Sequence, residues 1–308
     1  DIMGQVFWIP MTPIDHYPLT PSNERSLKAA NVIFNMSQFG QKTLATSNLD
    51  SLFVPLAVSP AVWQPGDKQR ARRALGWDDD RFYASFVGVN DSNPSRKGIF
   101  ELLAAWQLFY EQRPNSTLYM HTSVLGNIPV SGGRGGVDIP RILETLGLPQ
   151  DAVSIVDQDQ YATGGISQRH LNTIAQASDV LVQPSRGEGF GLPLLEFQRA
   201  GCPVITTDYA AGAELCFGGW RIEYEPEWSS YNSMRAKPGI AAIIEALLHA
   251  ESDRDNPRRK RAAIEGAMRY DVDTVVDNYF IPALTVAGEM LLEASATYGK
   301  QSIKQRTG

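Results

Sequence analysis

The feature of this 308-residue sequence that most constrains its fold is a series of short apolar segments that alternate with amphipathic ones. A strand that is apolar on both faces must be covered on both faces, as in a parallel sheet with helices on each side. Connections of this length are right-handed, so the pattern predicts an α/β fold built on a doubly wound, Rossmann-like parallel sheet. The predicted strands are 82–89, 116–121, 152–156, 179–183, 203–207 and 221–224, and the predicted helices are 98–112, 138–147, 168–178, 191–200 and 211–217.

The residues before this alternating region resemble the end of a second domain of the same kind. Residues 34–40 have the pattern of a strand that runs into a helix, and residues 53–57 form another short apolar run. Prolines between residues 57 and 66 indicate a connection between domains. A partial second Rossmann-like domain is therefore predicted in front of the main sheet.

Three regions follow from these patterns. Residues 1–63 are predicted to be the remnant of an N-terminal domain with its linker, and residues 64–270 the main Rossmann-like domain. Residues 271–308 are predicted to form helix, kinked or broken at Pro282, that returns toward the first domain. Because a complete domain ordinarily needs more residues than 1–63 contain, we expect most of the first domain to be missing from the molecule or from this chain.

Composition narrows the class of partner and the compartment. The chain carries a formal net charge of −6, and its densest basic run, residues 254–261, is interrupted and has the pattern of a solvated helix start, so no nucleic-acid partner is expected. Its two cysteines, Cys202 and Cys216, lack the spacing of a zinc site or a redox pair. No stretch reaches the roughly 18 apolar residues that span a bilayer, and residues 1–10 lack the basic leader of a signal peptide. We expect a cytoplasmic protein, either free or held peripherally at a membrane.

The most informative motif is Pro-Ser-Arg-Gly-Glu-Gly-Phe-Gly-Leu-Pro-Leu-Leu-Glu, which ends at Glu196. It follows a predicted strand and opens a predicted helix, at the strand end where doubly wound sheets bind ligands. Its three glycines permit sharp turns and close approach to a ligand, and Pro193 suits a first helical turn. The free N–H groups and the dipole of the helix start make an anion site.

Two carboxylates in this motif indicate what else the ligand carries. Glu188 and Glu196 stand eight positions apart, beside the predicted anion site. A carboxylate does not bind phosphate, but it accepts hydrogen bonds from hydroxyl groups. A ligand that combines phosphate with many hydroxyls is a sugar nucleotide, and that is the predicted ligand.

The glutamate motif resembles the donor-site motif of glycosyltransferase family 4, which are retaining enzymes of the two-Rossmann-domain GT-B type. The segment Ala-Gly-Cys-Pro-Val-Ile that begins at Ala200 extends the resemblance. Upstream, Phe-Val-Gly at residues 86–88 followed by Arg96, Lys97 and Gly98 resembles the diphosphate-binding loop of that family. The residues between Val54 and Asp67 look like its interdomain linker, so the likeness covers roughly residues 30–270.

The resemblance implies a role for each matching position. Glu196 would hold the ribose hydroxyls, and Glu188 hydroxyls of the donor sugar. Lys97 would pair with the diphosphate and stabilise the charge of the leaving group. The backbone around Gly189, with the N–H groups of Phe190, Gly191 and Leu192, would face the sugar and the distal phosphate.

One position departs from the family pattern. The family has Arg directly after the strand glycine, where this chain has Val89, and the loop that follows is longer. Either Arg96 supplies the second cation, or Asn90 hydrogen-bonds a phosphate and the charge is neutralised less completely. The family needs no metal and no cofactor besides the sugar nucleotide, and none is expected here, although Asp157 and Asp159 have the spacing of a metal pair.

Several other polar residues lie at or near the ends of predicted strands, and most of them allow two interpretations. His121 is a ligand contact or a solvent-facing side chain, and Tyr161 stacks on a base or packs in a loop. The Thr206, Thr207 and Asp208 side chains are accounted for by bonds to the nearby backbone. Two more residues, Asp15 and His16, would face the cleft if the first segment belongs to an acceptor domain.

The function expected from these observations is transfer of a sugar from a UDP- or GDP-sugar to a glycan, lipid or small-molecule acceptor. Because both domains are needed for catalysis in the family, this chain alone is expected to bind donor and turn over poorly. Two alternatives remain open: a non-catalytic nucleotide-sugar-binding module and a sugar-nucleotide epimerase on the same scaffold. A nicotinamide oxidoreductase is disfavoured, since no Gly-x-Gly-x-x-Gly with a later acid follows a first strand.

Overall fold

The computed structural model of the chain describes residues 6–126 and 135–306, with side chains as far as residue 295. Residues 1–5, at the start of the segment tested for a leader, lie outside these ranges. The chain forms two parallel sheets and one antiparallel hairpin within the described residues. Residues 11–53 contain the strands of the smaller sheet, and residues 82–222 contain those of the larger one.

The smaller sheet has three parallel strands in the order β1-β2-β3. Its elements are β1 Met11–Thr12, α1 Pro21–Leu27, β2 Phe34–Asn35, α2 Gln38–Thr46 and β3 Leu52–Phe53. Ile14, Leu27 and Leu44 belong to a small buried core beneath it. The strand and helix predicted from residue 34 onward are therefore present, but the strands have only two residues each.

The larger sheet has six parallel strands, and it confirms the predicted doubly wound α/β fold. Its strands are β4 Phe82–Val87, β5 Ser116–His121, β6 Val153–Ile155, β7 Val180–Gln183, β8 Val204–Thr207 and β9 Trp220–Ile222. The helices around it are α3 Lys68–Leu75, α4 Ile99–Gln112, α5 Ile139–Leu146, α6 Gln158–Thr163, α7 Gln168–Ala177, α8 Leu192–Arg199 and α9 Ala210–Glu214. The order β6-β5-β4-β7-β8-β9 reverses direction between β4 and β7, and that reversal makes the crevice where such folds bind ligands.

Burial explains why these segments become strands, and side-chain caps explain where several of the helices begin. The β4, β7 and β8 strands are buried almost throughout, as strands covered on both faces must be. Short polar side chains start the helices: Asp67, Asp138 and Ser167 each accept the N–H of the residue three positions later. Such caps satisfy donors that the helix itself leaves open.

The structure adds a hairpin and two helices after the last parallel strand. These elements are β10 Tyr224–Trp228, β11 Met234–Pro238, α10 Ile240–Ser252 and α11 Pro257–Met268. The prediction that a strand ends at 224 was wrong, because the last parallel strand stops at Ile222 and the antiparallel hairpin starts two residues later. The basic run at 254–261 does contain a helix start, with Asn256 as its cap.

A single helical stretch closes the chain and packs on the smaller sheet. It consists of α12 Val272–Val275, a π-helical turn at Val276–Phe280 and α13 Ile281–Arg306. The predicted break at Pro282 is absent, because the wider π turn just before the proline accommodates the lost backbone hydrogen bond. Two small residues of α13, Ala283 and Ala287, pack on a buried cluster that includes Phe34 of β2. This contact runs toward the first segment, while the domain limits at 63 and 270 stay a prediction.

Part of this closing helix is long and apolar. Val272–Ser295 has the length and composition of a membrane span, so the prediction that no stretch is long and apolar enough was wrong for this helix. Length and composition alone do not make a helix a membrane span, since core helices meet the same criteria. The described residues contain one stretch of this kind.

Candidate functional site

The site is built around the loop that joins β7 to α8. Gly191 has a φ of +102° and starts α8 without any side-chain cap. The N–H groups at the start of a helix have no partner one turn earlier in the helix. Leu194 donates to the carbonyl oxygen of Gly191, while the N–H groups of Gly191 and Leu192 have no partner among the described residues and can donate to a ligand. Phe190 turns its ring into the core, 5.9 Å from the ring of Tyr270, and this anchors the loop.

Two glycines of this loop are required by the chain itself. A Cβ on Gly187 would lie 2.2 Å from the carbonyl oxygen of Asp15, and one on Gly189 would lie 2.4 Å from Cβ of Pro13. Larger residues would therefore push the first segment off the loop. The glycine pattern predicted close approach of a ligand, but close approach of the N-terminal segment already explains Gly187 and Gly189.

Glu188 is buried and is held by two donors. The Nζ atom of Lys97 and the hydroxyl of Ser185 each lie 2.6 Å from its Oε1 atom. The guanidinium of Arg96 is 3.9 Å from its other oxygen. The two predicted cations and the predicted sugar-binding carboxylate thus meet in one cluster, although 91 residues of sequence separate Lys97 from Glu188.

Glycine also sets the position of Lys97. Gly98 has a φ of +67°, and a Cβ there would lie 2.1 Å from the carbonyl oxygen of Pro184. The two loops are tied together beyond this point by hydrogen bonds from the amide N of Arg186 to Arg96 O and from Arg96 Nη1 to Gly187 O. The cations therefore reach the glutamate loop from a fixed backbone.

Asn90, which was considered as a phosphate ligand, instead joins two loops of the protein. Its amide nitrogen donates to the carbonyl oxygens of Ser123 and Val137, at 3.0 and 2.8 Å, and its amide oxygen accepts the N–H of Val137 at 2.9 Å. The side chain is buried and fully occupied in joining these segments. It has no hydrogen-bonding group left for a phosphate, so of the two alternatives for the missing cation the geometry favours Arg96.

Asn90→Ala is therefore expected to lower the free energy of unfolding by about 2–4 kcal/mol, because three buried hydrogen bonds are lost. The affinity for UDP should stay within about twofold of the wild type. Thermal unfolding and calorimetric titration would measure the two effects. A large loss of nucleotide affinity in a stably folded variant would return Asn90 to the binding site.

Glu196 lies on α8, half-buried, and is the unpaired member of the two glutamates. Among the residues that the structure describes, no hydrogen bond or ion pair reaches its carboxylate. Burial raises the pKa of Glu196 to about 7. A buried carboxyl with no partner disfavours its charged form, and hydroxyl donors from a ligand would relieve this cost.

The first segment contributes Asp15 and His16 to the same region. His16 Nδ1 lies 2.7 Å from Asp15 Oδ1, and both residues are buried or nearly so. Burial alone would raise the pKa of Asp15, but the hydrogen bond with His16 and the charges of Arg235, His16 and Arg96 outweigh it and hold that pKa below its usual range. The structure thus places Asp15 against the glutamate loop, with His16 paired to its carboxylate.

The remaining candidates lie at the same edge of the sheet. Burial, and then the charge of His170, lower the pKa of His121 to about 4, and the ring of Tyr161 packs edge-on against it at 5.3 Å. Asp157 caps α6, and the described residues contain no group of three His, Cys, Asp or Glu that could hold a metal. The hydroxyl of Thr207 is buried without a described partner.

Sequence reasoning missed a chain of charges beside the glutamate loop. Arg186 donates to Glu101 Oε1 at 2.5 Å, to Glu227 of the hairpin and to the carbonyl oxygen of Ser95. The partners stand 85 and 41 residues away, so no local pattern could have identified them. Arg186 is thereby committed to joining loops and is not a free cation of the site.

A separate cavity of about 470 Å³ lies at the opposite, amino-terminal ends of the strands. The buried charges of its wall are matched internally: Asp179 accepts from Lys68 Nζ at 2.6 Å, from Arg72 Nη2 at 2.7 Å and from the backbone N–H of Tyr83. This network joins α3 to the sheet. It accounts for the charges without a ligand.

The strand order, the uncapped start of α8 and the clustered charges define a Rossmann-like domain of the kind found in GT-B glycosyltransferases. Residues 156–218 match the family described as glycosyl transferases group 1. This match confirms the similarity to glycosyltransferases that the glutamate motif predicted.

Curated proteins of similar sequence are also glycosyltransferases. The D-inositol 3-phosphate glycosyltransferase of Geodermatophilus obscurus is 32% identical over 251 residues, which are 80% of this chain and 49% of that protein. The corresponding protein of Actinosynnema mirum is 31% identical over 154 residues, 50% of this chain and 34% of that protein. The chain therefore spans about a third to a half of the length of these relatives.

Solved structures share the fold. Sucrose-phosphate synthase from Thermosynechococcus elongatus superposes with a TM-score of 0.66 at 21% identity, over 89% of this chain and 61% of that one. HepE from Anabaena, solved in complex with UDP and glucose, has a TM-score of 0.65 at 15% identity, over 92% of this chain and 73% of that one.

Proposed function

We propose that the chain is the donor-binding part of a retaining glycosyltransferase that takes a sugar from a UDP- or GDP-sugar. One observation carries the proposal. Glu188 and Lys97 form a buried pair directly before the uncapped start of α8, and Glu196, within α8, has no hydrogen-bond partner among the described residues. Carboxylates for hydroxyls, a cation for phosphate and free N–H groups for an anion are what a sugar nucleotide requires.

The nucleotide end of the donor is assigned to α8. Glu196 would accept hydrogen bonds from the two ribose hydroxyls, and the backbone N–H groups of Phe190, Gly191 and Leu192 would face the sugar and the distal phosphate. An ionised carboxylate binds hydroxyl donors about twice as strongly as a neutral acceptor does. Ligand binding at Glu196 therefore favours the charged form that burial disfavours.

The reacting end is assigned to the Glu188 cluster. When the bond between sugar and diphosphate breaks, negative charge grows on the leaving phosphate, and Lys97 and Arg96 are the cations placed to stabilise it. A well-placed donor of this kind is worth roughly 3–4 kcal/mol in a transition state. Glu188 would meanwhile hold hydroxyls of the donor sugar, with Ser185 keeping the carboxylate in place when Lys97 turns to the phosphate.

The remaining parts of the proposal concern the base and the acceptor. HepE was solved with UDP and with UDP-glucose, which supports testing UDP-sugars first. The acceptor would present a hydroxyl group of a glycan, a lipid or a small molecule, and the reaction would need no cofactor beyond the donor. A cytoplasmic location, free or peripheral to a membrane, goes with a soluble nucleotide donor.

Calorimetric titration of the chain with UDP, GDP and ADP is the direct test. We expect one of the three to bind in the micromolar range, about −8 kcal/mol, because the helix start and Lys97 are already in place. The nucleosides uridine, guanosine and adenosine serve as controls that lack the phosphates. If none of the three diphosphates binds, the donor-site assignment is wrong for this chain.

A further inference from the structure

The β10–β11 hairpin hydrogen-bonds to two parts of the chain that lie far from it in sequence. Met234 exchanges both backbone hydrogen bonds with Tyr17, at 3.3 and 2.7 Å. Two residues along the same strand, the amide N of Ala236 donates to the carbonyl oxygen of Arg186 at 2.9 Å. One strand edge thus joins the N-terminal segment to the loop that carries Glu188.

Arg235 stands between these two attachment points. Its Nη2 atom lies 3.5 Å from Oδ2 of Asp15, and its Nε is buried with no hydrogen-bond partner among the described residues. Across the hairpin it opposes Glu227, which pairs with Arg186. The ion pairs of Arg235 and Glu227 therefore reach the same two segments as the backbone hydrogen bonds, one at Asp15 and the other at Arg186.

Asp15, the residue that Arg235 contacts, lies directly against the glutamate loop. Its carbonyl oxygen and Cβ occupy the space beside Gly187, at 2.2 and 3.4 Å from where a Cβ of that glycine would stand. Gly187 precedes Glu188, whose carboxylate is the proposed contact of the donor sugar. A shift of Asp15 would consequently alter the sugar end of the site, whereas Glu196 at the ribose end lies on α8.

We propose that the β10–β11 hairpin is a clasp, and that Arg235 is the positioning residue that holds Asp15 against the donor loop. The proposal rests on the proposed function, because it names the sugar end of that donor site as the part that Arg235 shapes. Arg235 acts through Asp15 and the backbone of the clasp and does not itself contact the donor.

The clasp predicts a selective effect on the sugar half of the ligand. Arg235→Ala should weaken binding of UDP-glucose by about fivefold while UDP loses no more than about twofold, since a lost, partly exposed ion pair is worth up to about 1 kcal/mol. Lys237→Ala is the matched control, because Lys237 is an exposed cation on the same strand and the same face. Equal losses for both ligands would indicate general destabilisation and would overturn the proposal.

A disulfide across the clasp separates positioning from contact. Tyr17 and Met234 are a hydrogen-bonded antiparallel pair, whose Cα atoms lie about 5.5 Å apart, a distance that a disulfide spans. In the Tyr17→Cys, Met234→Cys background, oxidation should restore UDP-glucose binding of Arg235→Ala to within about twofold of the locked protein without that change. Failure of the lock to restore binding would mean that Arg235 contacts the ligand. The wild-type chain, with its own Cys202 and Cys216, is the control under the same oxidising conditions.

Hydrogen exchange tests the clasp without any ligand. Arg235→Ala should speed exchange of the Met234 and Ala236 amides by about tenfold or more, while Lys237→Ala should not. Unchanged exchange would overturn the clasp. If the wild-type chain binds neither UDP nor UDP-glucose but exchange responds as expected, the clasp stands and the proposed donor site fails.

Discussion

Replacing Glu196 with glutamine is expected to stabilise the ligand-free protein at high pH by up to about 3 kcal/mol, and to have little effect at pH 4. Burial raises the pKa of Glu196 to about 7 from the usual 4.5. Between these values the folded protein holds a proton that the unfolded chain releases, so the free energy of unfolding falls as the pH rises from 4.5 to 7. Glutamine removes the ionisation and with it the loss.

The same substitution should weaken nucleotide binding in the same pH range in which it stabilises the ligand-free protein, because both effects depend on the ionised carboxylate of Glu196. At pH 8 the wild-type carboxylate is charged and would accept hydrogen bonds from both ribose hydroxyls. Glu196→Gln should therefore lose about 1.5–3 kcal/mol of nucleotide-binding free energy, which is roughly 10–150-fold in affinity. Below about pH 6 the two proteins should converge, because the wild-type carboxyl is then largely protonated in the free state.

Denaturant unfolding and calorimetry with the tightest-binding diphosphate, each at pH 5, 6, 7 and 8, would measure both effects. Glu265→Gln is the matched control, because Glu265 is exposed on α11 and should change neither curve. Parallel stability curves for wild type and Glu196→Gln would show that this carboxyl does not titrate near neutrality. A nucleotide affinity unaffected by Glu196→Gln at pH 8 would remove Glu196 from the ribose site.

Lys97→Met is expected to weaken UDP binding by roughly 10–150-fold while leaving the weak binding of uridine unchanged. A hydrogen bond to a charged group is worth about 1.5–3 kcal/mol, and the phosphates lose their nearest cation. Methionine keeps the length and apolar stem of the lysine, so packing around Gly88 and Glu188 is largely retained. Where transfer is measurable, the turnover number should fall by about 10²–10³-fold.

The buried partner of Lys97 complicates this variant, and a second one resolves it. Without the lysine, Glu188 keeps Ser185 and the more distant Arg96, but an unbalanced buried charge destabilises a protein. Lys97→Met combined with Glu188→Gln removes both charges and should regain stability without regaining UDP affinity. Lys42→Met, on the exposed face of α2, is the control for loss of positive charge. Recovery of affinity in the double variant would mean that Lys97 acts only by holding Glu188.

Local sequence patterns predicted the main sheet because burial is periodic along a chain. The segments at 82–87, 116–121 and 180–183 are strands because apolar residues on both faces must be covered on both faces. The helix starts were readable for a related reason, since residues such as Asp67 and Ser167 satisfy donors within their own first turn. The glutamate motif belongs to the same class of local information, because its glycines, Pro193 and the two acids act within one loop and one helix.

Other features depend on where distant segments meet, and local patterns do not contain that information. Asn90 carries the chemistry of a phosphate ligand, yet the path of the chain places its amide against Ser123 and Val137. The hairpin after residue 222 was missed, since Glu225, Glu227, Arg235 and Lys237 carry charges that look like solvated loop until their partners are known.

The sequence by itself determined the parallel sheet, the position of the loop between β7 and α8 and the two glutamates of the motif, because each depends on residues within about one turn or one strand of each other. Only the tertiary structure decided that Lys97 neutralises Glu188, that Glu196 stays unpaired and that Asp15 lies on Gly187. These outcomes depend on which charges are buried together after the chain has folded. Since the strength of a charge–charge interaction depends on distance and on exclusion of water, the electrostatic character of the site became defined only when segments up to about 170 residues apart had met.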